Sequence, residues 1–242
     1  MQPRWAIYID IEGFRALYSR ENNILVALCD LMEGIFLIGR ECYPAAPDRI
    51  FAHQTGDGFV IVGEFGAESL SVPVSIAIAL LRHIAARGRF AKAAIGEGDF
   101  ADISGCYPKA LRDAREPNGI IRMGGGIMHL FPVMGTAFID AVAVMKNSPS
   151  GAILSVSLAN VSRLPHGCKV REFPANGVAT IDWANSSLPG VAALQARANL
   201  SQPTAAEIES IFNKYIADQT PPCKWVAGSR EAMGLTRGQT GT

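Results

Sequence analysis

The apolar and polar positions fall into short runs and helical stripes. Trp5-Ala6-Ile7-Tyr8-Ile9-Asp10 is an apolar run closed by an acid and predicts a buried strand. Ile24, Leu25, Leu28, Leu31, Met32, Ile35 and Phe36 recur at helical spacing and predict an amphipathic helix from about Glu21 to Ile38. Ile50–Ala52 and Phe59–Val62 read as strands flanking Gly56-Asp57-Gly58, which is a hairpin signal. A second helix is expected from about Pro73 to Ala86, stopped near Gly88, and Phe90–Ile95 opens the next strand.

The chain then makes a loop-rich excursion to Asn118-Gly119 and returns through Ile120–Arg122 and Ile127–Phe131. Between those runs, Gly124-Gly125-Gly126 predicts a bulge or a close backbone approach. A third helix is expected over about Thr136–Lys146 and a strand over Gly151–Ser155. Cys168–Phe173 and Gly177–Trp183 predict a hairpin, and Thr204–Ala217 a last amphipathic helix. Residues 184–203 read as a linker, and the Gly/Thr/Gln-rich chain past Gly228 as a mobile tail. The order β-α-β-β-α-β, with further elements after it, predicts an α+β protein on a ferredoxin-like, split βαβ core. Such a core is an antiparallel-rich sheet with helices packed on it.

With 242 residues, 49% of them hydrophobic, the chain suits one large domain with an appendage and excludes global disorder. Lys plus Arg and Asp plus Glu are 22 each, so the basic excess of a nucleic-acid binder is missing and none is expected as partner. The longest apolar stretch, Val72–Leu81, falls far short of the roughly 18 residues that suggest a membrane span. Met1-Gln2-Pro3-Arg4-Trp5 lacks a signal-peptide core, and five scattered cysteines show no zinc-ligand spacing. A cytoplasmic chain with reduced thiols and no membrane contact is the expectation.

Candidate chemistry centres on Asp10 and Asp57. One closes the first strand and the other sits in the hairpin turn. A β-α-β-β core can lay that strand beside that hairpin and bring the carboxylates together. Such a pair repels unless a hard cation joins it, and Mg²⁺ or Mn²⁺ takes oxygen ligands completed by phosphates and water. Taken singly, each acid also suits a bland role, Asp10 as a helix cap and Asp57 as a turn residue. Ile11-Glu12-Gly13-Phe14 offers backbone N–H groups that can hold a phosphate near a helix N-terminus, or makes a plain strand-to-helix turn. Glu97 and Asp99 read as metal contacts or as solvated loop acids, and Trp183 and Trp225 as packing residues.

Ile9-Asp10-Ile11-Glu12-Gly13-Phe14 resembles the Asp-Ile-x-Gly-Phe motif of class III nucleotidyl cyclases. Thr55-Gly56-Asp57-Gly58-Phe59 resembles that family's Gly-Asp-Gly-Phe hairpin. Ala93-Ala94-Ile95-Gly96-Glu97-Gly98 is similar to its following strand. Gly135–Ala141 falls where the family has a Gly-x-x-Val-Asn-x-Ala helix, and Gly151–Ser155 is similar to the strand after it. The match covers about residues 5–183.

The resemblance implies two Mg²⁺ or Mn²⁺ ions per site held by Asp10, Asp57 and the Ile11 carbonyl. It places the nucleotide against Ile11, Gly13, Phe14 and His53. It also implies a head-to-tail homodimer with its sites at the subunit interface, acting on a nucleoside triphosphate. Residues 1–183 would then be the catalytic domain, 184–228 a linker and C-terminal helix packing on the domain or the dimer, and 229–242 a mobile tail.

The departures bear on the substrate. His53 stands where the family's purine-reading lysine lies, and Pro132 stands where the lysine's partner lies. Ile139 and Ala143 replace the transition-state Asn and Arg. Lys92, Arg122, Lys146 and Arg171 are unranked candidates for a substitute cation. The subgroup this most resembles is the pyrimidine cyclases of Pycsar anti-phage systems, which make cyclic UMP or cyclic CMP to activate a separate effector. The alternatives are an adenylate or guanylate cyclase with unusual base contacts, or a catalytically inactive nucleotide-binding or dimerisation module.

Overall fold

Strict alternation along the first apolar run sends Trp5, Ile7, Ile9 and Ile11 to one face and Ala6 and Tyr8 to the other. Both faces are covered, so this strand, β1 (Arg4–Ile11), becomes the interior of the fold. The computed structural model describes residues 3–13, 23–45, 50–63, 68–117, 119–130 and 133–235. After β1 come β2 (Phe51–Thr55), β3 (Gly58–Gly63), β4 (Ala91–Gly98), β5 (Ala101–Asp102) and β6 (Ile121–Met123). The remaining strands are β7 (Gly126–Met128), β8 (Val133–Met134), β9 (Leu154–Ser157), β10 (Val170–Phe173) and β11 (Val178–Ile181).

The main sheet runs β10-β11-β9-β4-β1-β3-β2. β1 lies antiparallel between β3 and β4, and β2 pairs antiparallel with β3. The connection from β1 to β2 therefore skips one strand position, which β3 fills. β9 extends the sheet by pairing parallel to β4. The two short pairs β5-β8 and β6-β7 stand outside it.

Helices α1 (Asn23–Cys42) and α2 (Ser71–Ala86) cover the Trp5 face. α2 is buried nearly all round, as its apolar sequence demands, because later helices close over its outer side. Beyond a short α3 (Lys109–Asp113), α4 (Thr136–Asn147) covers the Tyr8 face. It lies against β4 at Gly96 and Gly98, where any Cβ would run into the backbone of Ala141 and Ala137. The C-terminal part folds as α5 (Pro189–Arg197), α6 (Ala205–Gln219) and α7 (Cys223–Ala232). A Thr204–Glu207 capping box starts α6. No helix among the described residues is long and apolar enough to cross a membrane.

Several expectations need correction. The predicted apolar stripe of α1 splits: Leu28, Leu31 and Ile35 are buried, but Leu25, Met32 and Phe36 are exposed, because the sheet covers only one side of the helix. Gly124 and Gly125 form the turn of the β6-β7 hairpin, with φ +59° at Gly124, rather than a bulge. Part of the stretch read as linker is α5, whose Val191 and Leu194 join the core. The tail does not loosen at residue 229: Ser229 is buried and its hydroxyl accepts from Ala152 N at 2.8 Å. Residues 236–242 lie outside the described residues.

The close seating of α4 makes a stability prediction. Gly96→Val should cost about 3 kcal/mol by overpacking, read as a lowered urea midpoint. Gly105→Ala, with open space at its Cβ position, should stay within about 0.5 kcal/mol. Equal midpoints for the two variants would contradict the packing described.

Candidate active site

Register decides where the acids go. Asp10, near the end of β1, stands opposite Gly58 of β3 on one side and Lys92 of β4 on the other. A Cβ on residue 58 would come to 2.7 Å from Ile9 O and 3.0 Å from Asp10 Oδ1, so only glycine leaves room for the carboxyl there. One residue earlier, Asp57 sits in the β2-β3 turn, which Gly56 permits with φ +66°. Gln54 Nε2 donates to Gly56 O at 2.9 Å and props the turn.

This placement is electrostatically uncomfortable. Asp10 Oδ1 is buried with no hydrogen-bond partner among the described residues. Burial first, then the charges of Asp57 and Glu12, push the Asp10 carboxyl up to about 7. Burial also raises Glu12, against the opposing effect of a hydrogen bond from Trp225 and the Lys92 charge. Lys92 is pulled down by its own burial, while Glu12 and Asp10 act the other way. Its Nζ donates to Ser148 O at 3.4 Å. Asp10 and Glu12 thus share one ammonium while Asp57 acts on both carboxyls, and full ionisation leaves an excess of negative charge.

The donor set fits a hard divalent cation. It is all oxygen, close-set and partly orphaned, and Mg²⁺ is commonly held by one or two carboxylates plus phosphates and water. Among the described residues no group of three or more His, Cys, Asp or Glu side chains is placed to hold a metal ion, so the protein would supply two carboxylates at most. Asp10 and Asp57 would supply the protein carboxylates, and the Ile11 carbonyl is the nearby backbone oxygen. The remaining positions would fall to substrate and solvent.

The other predicted residues are distributed as follows. Ile11 buries its side chain in the core, so only its backbone can serve a ligand. Gly13 is exposed in the turn after β1, with φ +77°. Phe14 and Pro132 lie outside the described residues, as do residues 15–22 between the turn and α1. His53 is half-buried on β2, on the rung Tyr8–Val60–His53, two residues from the rung that carries Asp10. Strand spacing and rise put it about 12 Å from Asp10, backbone to backbone. Burial lowers its pKa, with the Asp102 carboxylate opposing, which favours the neutral imidazole.

Of the four unranked cations, Lys92 stands beside Asp10. Arg122 pairs with Glu116 at 2.5 Å, Arg171 pairs with Glu231, and Lys146 is exposed on α4. Glu97 is bound by Arg163 at 2.6 and 3.0 Å, and Asp99 Oδ1 accepts from Thr136 N at 2.9 Å at the start of α4. Both acids are thus engaged by other side chains or backbone away from Asp10.

Sequence reasoning missed Tyr8 and Glu12. Tyr8 shares the Asp10 face, meets Phe138 edge-on at 6.0 Å, and is raised by burial and by Asp10. Alternation along β1 could have found it. A cavity of about 310 Å³ between α1, α2 and α5, lined by Cys42, Ser75, Leu194 and Arg197 among others, contains none of the predicted site residues.

No family model and no curated protein matches the chain. The solved structures on which it superposes include guanylyl cyclase domains. The dimeric guanylyl cyclase domain of the RhoGC fusion protein from the aquatic fungus Blastocladiella emersonii aligns at 9% identity over 75% of this chain and 95% of its own, with TM-score 0.43. The guanylyl cyclase Cya2 aligns at 12% identity over 78% and 94%, with TM-score 0.41. The catalytic core of a rhodopsin-guanylyl cyclase with converted specificity, in complex with ATPαS, aligns at 9% identity over 74% and 95%, with TM-score 0.45. These are loose superpositions.

The raised Asp10 carboxyl gives a pH prediction. The folded chain holds this proton more tightly than the unfolded chain does. Its stabilising contribution is therefore full below about pH 4 and is lost as pH rises through about 7. In chelator, the melting temperature should fall over that window, and Mn²⁺ should restore it at pH 8 but not at pH 5. Asp10→Asn should abolish both the slope and the Mn²⁺ response; a slope unchanged in that variant would contradict the assignment.

Proposed function

We propose that the chain is a nucleotidyl cyclase, a phosphorus–oxygen lyase that closes a nucleoside triphosphate to its 3′,5′-cyclic monophosphate and releases pyrophosphate. The observation that carries this reading is the convergence of Asp10 and Asp57 at the end of the central strand, with a buried carboxyl oxygen left unpartnered. Both acids lie in segments resembling the two acidic motifs of class III cyclases. The antiparallel order β4-β1-β3-β2 supports the ferredoxin-like, split βαβ core that such a site uses.

Two bound Mg²⁺ or Mn²⁺ ions would supply activation of the ribose 3′-hydroxyl and neutralisation of the triphosphate. Asp10, Asp57 and the Ile11 carbonyl would hold them. Lys92 adds a positive charge beside the phosphates, and Gly13, lacking a side chain, lets them approach the turn. His53, on the same sheet face, faces the base. Its neutral imidazole offers one donor and one acceptor in place of the cation of a purine-reading lysine. That substitution supports UTP or CTP as substrate, and with it a cyclic pyrimidine messenger for a separate effector in anti-phage defence. Residues 1–183 form the catalytic domain in this reading, working as a homodimer with its sites between subunits.

One observation favours a second reading. Ile139, 63% exposed, and Ala143 present apolar side chains on α4 where related cyclases carry Asn and Arg. An inactive nucleotide-binding module would have the same surface.

Incubation with Mn²⁺ and each of the four triphosphates, read by mass spectrometry, tests the proposal. Cyclic UMP or cyclic CMP is the expected product, and Asp57→Ala should reduce it by a factor on the order of 10²–10³, with an unchanged circular dichroism spectrum. A cyclic purine product would discard the pyrimidine assignment. Undiminished product from Asp57→Ala would discard the acidic site, and metal-dependent triphosphate binding without product would establish the inactive module.

A further inference from the structure

Glu12 lies in the turn between the β1 strand and Gly13, two residues from Asp10, and the C-terminal helix reaches back to it. Trp225 Nε1 donates to Glu12 Oε2 at 2.6 Å, joining residues 213 apart in sequence. The backbone of the same residue is also held, since Glu12 N donates to Phe90 O at 2.9 Å. The two anchors are one assembly. The Trp225 ring packs against Phe90, Phe212 and Tyr215 at centroid distances of 6.3, 5.8 and 5.7 Å, and Phe90 meets Phe212 and Tyr215 edge-on at 5.2 Å each.

α7 is itself fixed. Ser229 Oγ accepts from Ala152 N and donates to Trp225 O, both at 2.8 Å, and Asn185 Nδ2 donates to Met233 O at 2.6 Å. Gly151 and Gly228 carry no side chain where the helix meets the turn before β9: a Cβ on either would strike the backbone of Ser229 or Ser150.

Stability alone gives a poor account of this contact. A buried indole N–H is satisfied by any acceptor, and an uncharged amide would serve without burying a carboxylate beside Asp10 and Asp57. Holding the Glu12 side chain toward α7 keeps a third carboxylate from swinging into the Asp10–Asp57 pair. It also fixes the Ile11–Glu12 peptide, whose carbonyl is the backbone oxygen available to a cation.

We propose that Trp225 is a positioning residue of the active site: through Glu12, the C-terminal helix α7 sets the Ile11–Gly13 turn in the geometry that cation binding and turnover require. This rests on the reading of Asp10 and Asp57 as a divalent-cation site. The C-terminal helices are, on this account, part of the catalytic architecture and not a cover added to it.

The test compares the full chain with Trp225→Phe, which keeps an aromatic ring and loses the donor, and with Arg230→Ala, which frees α7 from Asn213 Oδ1 of α6 and leaves the Trp225–Glu12 contact in place. Hydrogen exchange read by mass spectrometry should quicken at least tenfold in the peptide spanning the turn of Trp225→Phe, with β9 unchanged. Its Mn²⁺ dissociation constant, from electron paramagnetic resonance, should rise at least tenfold, with a matching fall in kcat and little change in triphosphate KM. Arg230→Ala should stay within threefold of wild type in all three readouts; an equal loss there would trace the effect to general loosening of α7 and overturn the proposal. Exchange at the turn unaffected by Trp225→Phe would overturn the proposal, as would faster exchange with unchanged Mn²⁺ affinity and kcat. If wild type neither binds Mn²⁺ nor forms product, the cation-site reading fails and the proposal with it. A surviving exchange effect would then identify the reading as the part at fault.

Discussion

Two carboxylates pressed together repel, and the backbone of this chain gives Asp10 no route away from Asp57. Asp10 belongs to a strand whose neighbours on both sides are hydrogen-bonded partners, and its rung ends in Gly58 and Lys92. Asp57 is delivered by a tight turn that precedes the same glycine. The result is a half-buried carboxyl with its proton affinity raised to about 7 and one oxygen unpartnered. Retaining such a pair lowers stability unless a charge of opposite sign offsets it. Lys92 offsets part, and bound divalent cations would offset the rest.

The surrounding structure reads as support for that strained point. Apolar helices α1 and α2 bury the Trp5 face of β1 and keep the strand straight and central, while α4 sits so close to β4 that glycine is required at two positions. α4 lays Ala137, Phe138 and Ala141 over Ala6 and Tyr8, and its far end reaches the Asp10 rung, where Lys92 Nζ donates to Ser148 O. The C-terminal helices fill the gap beside Phe90 with aromatic rings and reach the turn after β1 through a single indole N–H. Rigid secondary elements thus converge on one short turn, as a site with fixed geometry needs.

Much of this was legible in the sequence because it is local. An apolar run closed by an acid, and a Gly-Asp-Gly between two β-rich runs, each carry their own structural signal, and Asp10 and Asp57 follow from them. What stayed hidden depends on register or on distance. Lys92 stood among four candidate cations until antiparallel pairing set it opposite Asp10. Trp225 read as packing, which it is, but its hydrogen bond spans 213 residues, and no periodicity announces it. The helix over Pro189–Arg197 escaped because its alanines and glycine give little contrast between faces. Leu25, Met32 and Phe36 fit the helical period yet face outward, since periodicity marks a stripe without saying how wide the covered face is.

The most direct test of this account is a calorimetric titration of Mn²⁺ into the chain in the presence of a triphosphate that cannot cyclise, for wild type and for Asp10→Asn combined with Asp57→Asn. The account predicts saturable Mn²⁺ binding by wild type that needs the triphosphate for full occupancy, and its loss in the double variant with the fold intact. Mn²⁺ binding that is equal in the two proteins would contradict the claim that these carboxylates are held together for a cation.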